Sequence, residues 1–130
     1  VPQCGLAPGY IAIAANHVAR EFDQIQDLTL RVGALPQFPT NALKYNVTWS
    51  AAGLINEYCE LCNVMLNGKM IKTPALEGLE HFSFEGVEYE AFYTSGGVGS
   101  LIESLGKTGK TGPTTNIGIS YDRIGMVWLP

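Results

Sequence analysis

The chain has 130 residues, 46% of them hydrophobic and 15% charged, with a formal net charge of −4. That length holds one domain with a real core and is too short for two. The acidic balance argues against nucleic acid or an anionic membrane surface as the main partner, and no apolar run approaches the roughly 20 residues of a membrane span.

The chain opens on "VPQCGLAPGYIAIAANHVAREFD", a glycine- and proline-punctuated turn with Cys4 in front, leading directly into a helix. Ile11, Ala14, Ala15, Val18 and Phe22 supply the apolar stripe of an amphipathic helix over residues 9–23, with Asn16, Arg20 and Glu21 facing away. In "LTLRV", Leu28, Leu30 and Val32 alternate with Thr29 and Arg31, the pattern of a half-buried strand. Residues 33–45 hold two prolines and no steady period, and read as a loop. Ser50 suits a helix N-cap before Ala51, Leu54, Ile55 and Tyr58, and this helix should end near Cys59. Asn67-Gly68 between apolar residues is a strong hairpin signal. "HFSFEGVEYEAFY" is either a second strand pair or one long strand bulged at Gly86.

"TSGGVGSLIESL" reads as a glycine loop feeding a short helix. From Gly106 the composition changes. "GKTGKTGPTTNIG" is polar and aperiodic and is expected to be mobile, so that truncation after Leu105 should leave the fold intact; "ISYDRIGMVWLP" is apolar again and can dock as a strand. These elements predict an α+β domain over residues 1–105, a mixed and mainly antiparallel sheet packed against a few helices, followed by a divergent, partly flexible tail over 106–130.

Few residues declare chemistry by themselves. "SGGVGS" lacks both the Gly-x-Gly-x-x-Gly spacing and the Lys-Ser/Thr ending of a phosphate loop, and "GKTGKT" has Lys-Thr pairs but no upstream glycine at the required spacing and no apolar helix after it, so this chain is not expected to bind a nucleotide cofactor. Cys59-x-x-Cys62 has metal-knuckle spacing, but the remaining candidates (Cys4, His17 and His81) are not at paired spacing, and the motif closes a helix instead of opening one. It reads as structural thiols, with no metal site. Three cysteines are too sparse for a disulfide scaffold and suit the reducing cytoplasm. His17 and His81 read as surface or edge residues, and no catalytic residue is assigned.

"CGLAPG", "VGALPQFPTNALKYNVTWSAAGLINEYC" and "LEGLEHFSFEGVEYEAFYTSGGVGSLIESL", in that order, resemble the C-terminal domain of the saccharopine dehydrogenase and lysine dehydrogenase family, over about residues 2–108. The resemblance implies a two-domain oxidoreductase acting on the C–N bond of an amino acid. In such enzymes a Rossmann domain binds NAD or NADP and the α+β domain closes over the substrate and makes the dimer contact. The family's Cys-Gly-x-x-Pro-Gly segment falls on Cys4, Gly5, Pro8 and Gly9, implying a place at the active-site cleft, where a helix N-terminus can offer N–H groups to a carboxylate. Pro36, Gln37, Tyr45, Thr48, Trp49 and Ser50 match substrate-facing loops; the alternative is that Trp49 is core and Ser50 only a cap. Thr94, Gly96 and Gly97 match another loop near the cleft.

Family members continue into a Tyr-Lys-Thr-x-Arg-Tyr-Pro-Gly-His-like segment, whereas this chain has "GISYDRIGMVWLP", in which Tyr121 and Arg123 give at most a faint echo and no Pro-Gly-His follows, so that basic groups which would help bind a carboxylate are fewer. Val1 stands where the family's cofactor domain would have ended. The expectation is therefore the substrate-binding and dimerisation domain of a larger enzyme, inactive alone, whose substrate is lysine, saccharopine or a carboxylated polyamine. The alternative is a stand-alone dimeric binding or scaffold module. A homodimer should form through the sheet and cover Phe82, Phe84, Tyr89, Phe92 and Trp128.

Overall fold

The computed structural model describes residues 4–33, 35–38, 40, 45 and 47–124, with the backbone alone for 119–124. Helix α1 (Tyr10–Ala19) precedes strand β1 (Ile25–Val32); α2 (Ala51–Cys59) precedes the hairpin β2 (Cys62–Leu66) and β3 (Lys69–Thr73). A second hairpin, β4 (Glu80–Phe84) and β5 (Val87–Tyr93), is followed by α3 (Leu101–Gly106) and the long strand β6 (Thr111–Ile124). The strands form one six-stranded sheet of order β3-β2-β6-β5-β4, with β1 pairing β6 as well. The β1–β6 ladder is parallel and the others are antiparallel, which makes this a mixed, mainly antiparallel α+β domain.

Both hairpins turn on two residues with positive φ: Asn67 and Gly68 at 49° and 73°, Glu85 and Gly86 at 51° and 78°. That is the backbone twist a two-residue turn needs between right-handed strands, and glycine in second place carries it without a Cβ penalty. Phe84 pairs directly with Val87, so the second signal is a strand pair and not a bulged strand.

Helix α1 turns differently from its apolar stripe. Ala15 and Ala19 are buried, with Ile11 and Ala12 packed against the core, while Val18 and Phe22 are 53% and 56% exposed. Small side chains let the helix sit close to α3 and β1, where valine and phenylalanine would hold it off. The helix also stops at Ala19, short of the expected span to residue 23.

The expected mobile stretch is corrected most clearly. Residues 111–116 are the first part of β6, the strand that pairs with β1, β2 and β5. Its polar side chains are tied to neighbouring segments. The buried Thr115 Oγ1 donates to the Ile25 carbonyl at 2.6 Å and accepts from the Gly112 N–H at 2.8 Å. Asn116 Nδ2 donates to Asp27 Oδ1 at 2.8 Å, and Asn116 Oδ1 accepts from the Asn67 N–H at 3.0 Å. Just upstream, the Lys110 ammonium donates to the carbonyls of Ala19, Arg20 and Phe22, at 3.3, 2.8 and 2.7 Å. A cation there satisfies carbonyls at the end of α1 that have no further helical turn to bond. Truncation after Leu105 would remove all of this.

The core gathers Ala15 and Ala19 from α1, Ile25, Leu30 and Val32 from β1, Met65 from β2 and Ile117 from β6 against Val98, Leu101, Ile102 and Leu105 at α3. Of the aromatics assigned to a dimer face, Phe92 is buried within the chain, edge-on to Tyr58 at 5.7 Å. Phe82 and Tyr89 stack at 5.5 Å, and the Arg31 guanidinium lies 4.6 Å over Phe82 while pairing with both Glu80 oxygens at 3.0 and 2.8 Å. Phe84 stays 61% exposed, and Trp128 lies outside the described residues. No helix among the described residues is long and apolar enough to cross a membrane.

Candidate functional site

Residues 4–9 form a turn closed on itself. The Gly5 N–H donates to the Pro8 carbonyl at 3.0 Å, Tyr10 N–H to Gly5 O at 2.9 Å and Ile11 N–H to Leu6 O at 3.0 Å. Gly9 takes φ 139°, a conformation that favours glycine, and its carbonyl accepts from Ala12 and Ile13. The first amides of α1 are thus already donated within the turn. The expectation that this helix start offers them to a substrate carboxylate is corrected.

Across from the turn, Ser50 caps α2, its Oγ accepting from the Gly53 N–H at 3.1 Å. Trp49, 51% exposed, is not core: its ring lies against Gly53, where any Cβ would collide with it, and its Nε1–H donates to the Tyr45 hydroxyl at 2.9 Å. Glycine at 53 therefore lets the indole approach the first turn of α2 closely. The turn, the end of β1 and the approach to α2 enclose a cleft of about 400 Å³, lined by Gly5, Leu6, Ala7, Pro8, Val32, Tyr45, Thr48, Trp49 and Glu57. Its volume lies in the range of small-ligand sites.

The fold therefore brings Gly5, Pro8, Tyr45, Thr48 and Trp49 into one site. Cys4 is exposed at the outer end of the turn, Gly9 lies at its inner end, and Ser50 stands beside Trp49 as the cap. Pro36 is half-buried and Gln37 exposed, and neither lines the cleft. Thr94 and Gly96 line a separate space of about 20 Å³ with Asn63, Val98 and Gly99, and Gly97 is buried nearby in the chain. That loop is tied to α2 from behind: the Ser95 N–H donates to the Glu57 carbonyl at 2.9 Å and Ser95 Oγ to Leu61 O at 3.2 Å. Its glycines lead into a helix of six residues whose Leu101, Ile102 and Leu105 enter the core.

Glu57 is the residue the sequence reading missed. It is half-buried, its Oε2 is shut off from solvent with no hydrogen-bond partner among the described residues, and burial pushes its carboxyl up to about 7. The signal was present: Glu57 follows Leu54 by three residues and precedes Tyr58, so it stands on the inward stripe of an amphipathic helix, where a carboxylate is out of place. Cys59 and Cys62 are free thiols; Cys62 is buried, which pushes its thiol up, while Cys59 and Cys4 are exposed. Among the described residues no group of three or more His, Cys, Asp and Glu is placed to hold a metal ion.

Among solved structures, the chain is similar to the apo, histidine-tagged saccharopine dehydrogenase (L-Glu forming) from Saccharomyces cerevisiae, with a TM-score of 0.62 and 16% identity. The alignment covers 92% of this chain and 28% of that one, so the present chain spans well under half of the neighbour's length and shares its fold. At the level of sequence families, residues 5–112 match the saccharopine dehydrogenase C-terminal domain, and the chain belongs to that family.

Proposed function

We propose that this chain is the substrate-binding and dimerisation domain of a nicotinamide-dependent dehydrogenase acting on the C–N bond of an amino acid. The observation that carries this is the cleft itself. Gly5 to Pro8 of the turn and Tyr45, Thr48 and Trp49, far apart in sequence, meet around one space of amino-acid size. Its apolar lining residues suit an aliphatic arm, and Tyr45 and Thr48 bring hydroxyl-bearing side chains to the same lining. The saccharopine dehydrogenase (L-Glu forming) of similar fold supports an amino-acid substrate: saccharopine itself, lysine or a carboxylated polyamine.

The described residues do not fit a dinucleotide. Neither glycine-rich segment stands between a strand and a helix in a parallel βαβ unit; one feeds the short α3 and the other runs into β6. NAD or NADP would be held by a separate domain, and this chain alone would be inactive. The proposal includes a homodimer formed through the sheet, whose exposed apolar residues include Met70 and Phe84 (52% and 61%), and a cytoplasmic location.

The test is a titration of the chain with saccharopine, lysine and glutamate, followed by backbone amide shifts and tryptophan fluorescence. Shifts should concentrate on residues 5–8 and 45–49, and Trp49→Phe should remove the fluorescence response. Shifts centred elsewhere, or none at millimolar ligand, would overturn the reading.

A further inference from the structure

The cleft has a one-sided chemistry. Leu6, Ala7, Pro8 and Val32 supply apolar walls, Tyr45 and Trp49 supply aromatic rings, and Glu57 is the one charged side chain among the described residues that line it. The buried Glu57 Oε2 has no hydrogen-bond partner among the described residues. An ionised carboxylate can accept about four hydrogen bonds, and a buried oxygen with none is costly, so Glu57 gains wherever its side chain turns to bring the carboxylate to a donor in the cleft. Ammonium is the complement to such a set: it brings positive charge and several N–H donors, and aromatic faces favour it as well. An anion would meet only repulsion from Glu57.

We propose that Glu57 is the specificity-determining residue of this cleft, receiving a protonated amine carried on an aliphatic arm. The inference rests on the cleft being the substrate side of the domain, and it names which group of the substrate enters: the amine end, with its carbon chain against Leu6, Pro8 and Val32. The local electrostatics agree. Burial holds the carboxyl up near 7, so at neutral pH part of the population is protonated, and a cation set against it favours the ionised form and draws that proton off. Tyr45 is the other titratable side chain lining the cleft among the described residues; the turn of residues 5–8 and Val32 contribute none.

Calorimetric titration of the 130-residue chain at pH 7 with pentylammonium and with pentanol isolates the charge, since the two share a carbon skeleton. Pentylammonium should bind about tenfold tighter or more, with proton release detected by comparing buffers of different ionisation enthalpy. Glu57→Gln should abolish both the preference and the release. Glu57→Asp, which keeps the charge on a shorter arm, should retain a weaker preference for the amine. Equal binding of the two probes, no binding of either at millimolar concentration, or a preference that survives Glu57→Gln would overturn the proposal. Lysine and saccharopine separate the two levels. If they shift the cleft equally in wild type and Glu57→Gln, the role of Glu57 fails while the substrate reading stands. If pentylammonium is preferred but neither amino acid enters, the substrate reading fails and the ammonium site stands.

Discussion

Thr115→Val removes one hydroxyl from the middle of the fold and almost nothing else. Thr115 is 1% exposed, and its Oγ1 links the Ile25 carbonyl at 2.6 Å to the Gly112 N–H at 2.8 Å. Valine has the same shape, so no cavity opens, but both backbone groups lose that partner. A buried polar group left unpaired costs about 1–3 kcal/mol. Gly112 is only half-buried and water can reach it, which puts the combined loss at about 2–4 kcal/mol. The extra buried methyl returns roughly 0.5–1 kcal/mol, leaving a net destabilisation of about 1.5–3 kcal/mol. In urea denaturation followed by circular dichroism, a slope of about 2 kcal/mol/M converts this into a midpoint lowered by about 1 M. Thr115→Ser keeps both hydrogen bonds and loses a methyl group, so it should cost only about 1 kcal/mol. The order of stability is therefore wild type, serine, valine. A valine variant as stable as wild type, or more stable than the serine variant, would refute the view that polar bonding within β6 holds the sheet together.

Truncation after Gly106 should give a chain without a cooperative unfolding transition, because β1 loses its ladder and β2 and β5 their common neighbour; a folded product with native-like amide dispersion would refute this. Glu57 should make stability depend on pH in a defined direction. The unfolded carboxyl ionises near 4.5 and the folded one near 7, so the folded state binds more protons in between. Its contribution is fully present below about 4.5 and is lost as pH rises through 7. After discounting for partial solvent access, the loss is about 1–2 kcal/mol. Glu57→Gln should flatten that slope in denaturation series at pH 5 and pH 8, and an unchanged slope would sink the assignment. Light scattering at micromolar concentration should report twice the 14.0 kDa chain mass, and a monodisperse species at the chain mass would sink the sheet-mediated dimer.

Local signals carried the local structure. Ser50 and Asn67-Gly68 act over two to four residues through capping and turn geometry, so the start of α2 and the first hairpin were legible without any partner, while Glu85-Gly86 left a choice between a hairpin and a bulged strand. The order of motifs from Cys4 to Gly97 likewise identified the family from sequence. Of the central strand only the second part was legible, since "ISYDRI" falls in the stretch read as able to dock as a strand. "TGPTTN" has no hydrophobic period, because its stability comes from hydrogen bonds to Ile25, Asp27 and Asn67, residues remote in sequence that only the closed sheet brings near. The face of α1 was misread for a related reason: periodicity shows which side of a helix is apolar, but closeness of approach selects alanine over valine for contact. Tertiary structure also made the cleft. It set the turn at residues 5–8 against Tyr45 and Trp49, left Pro36 and Gln37 aside, and shut Glu57 Oε2 away from water. A carboxylate's spacing along a helix does not report its solvation, and solvation is what raises its affinity for a proton.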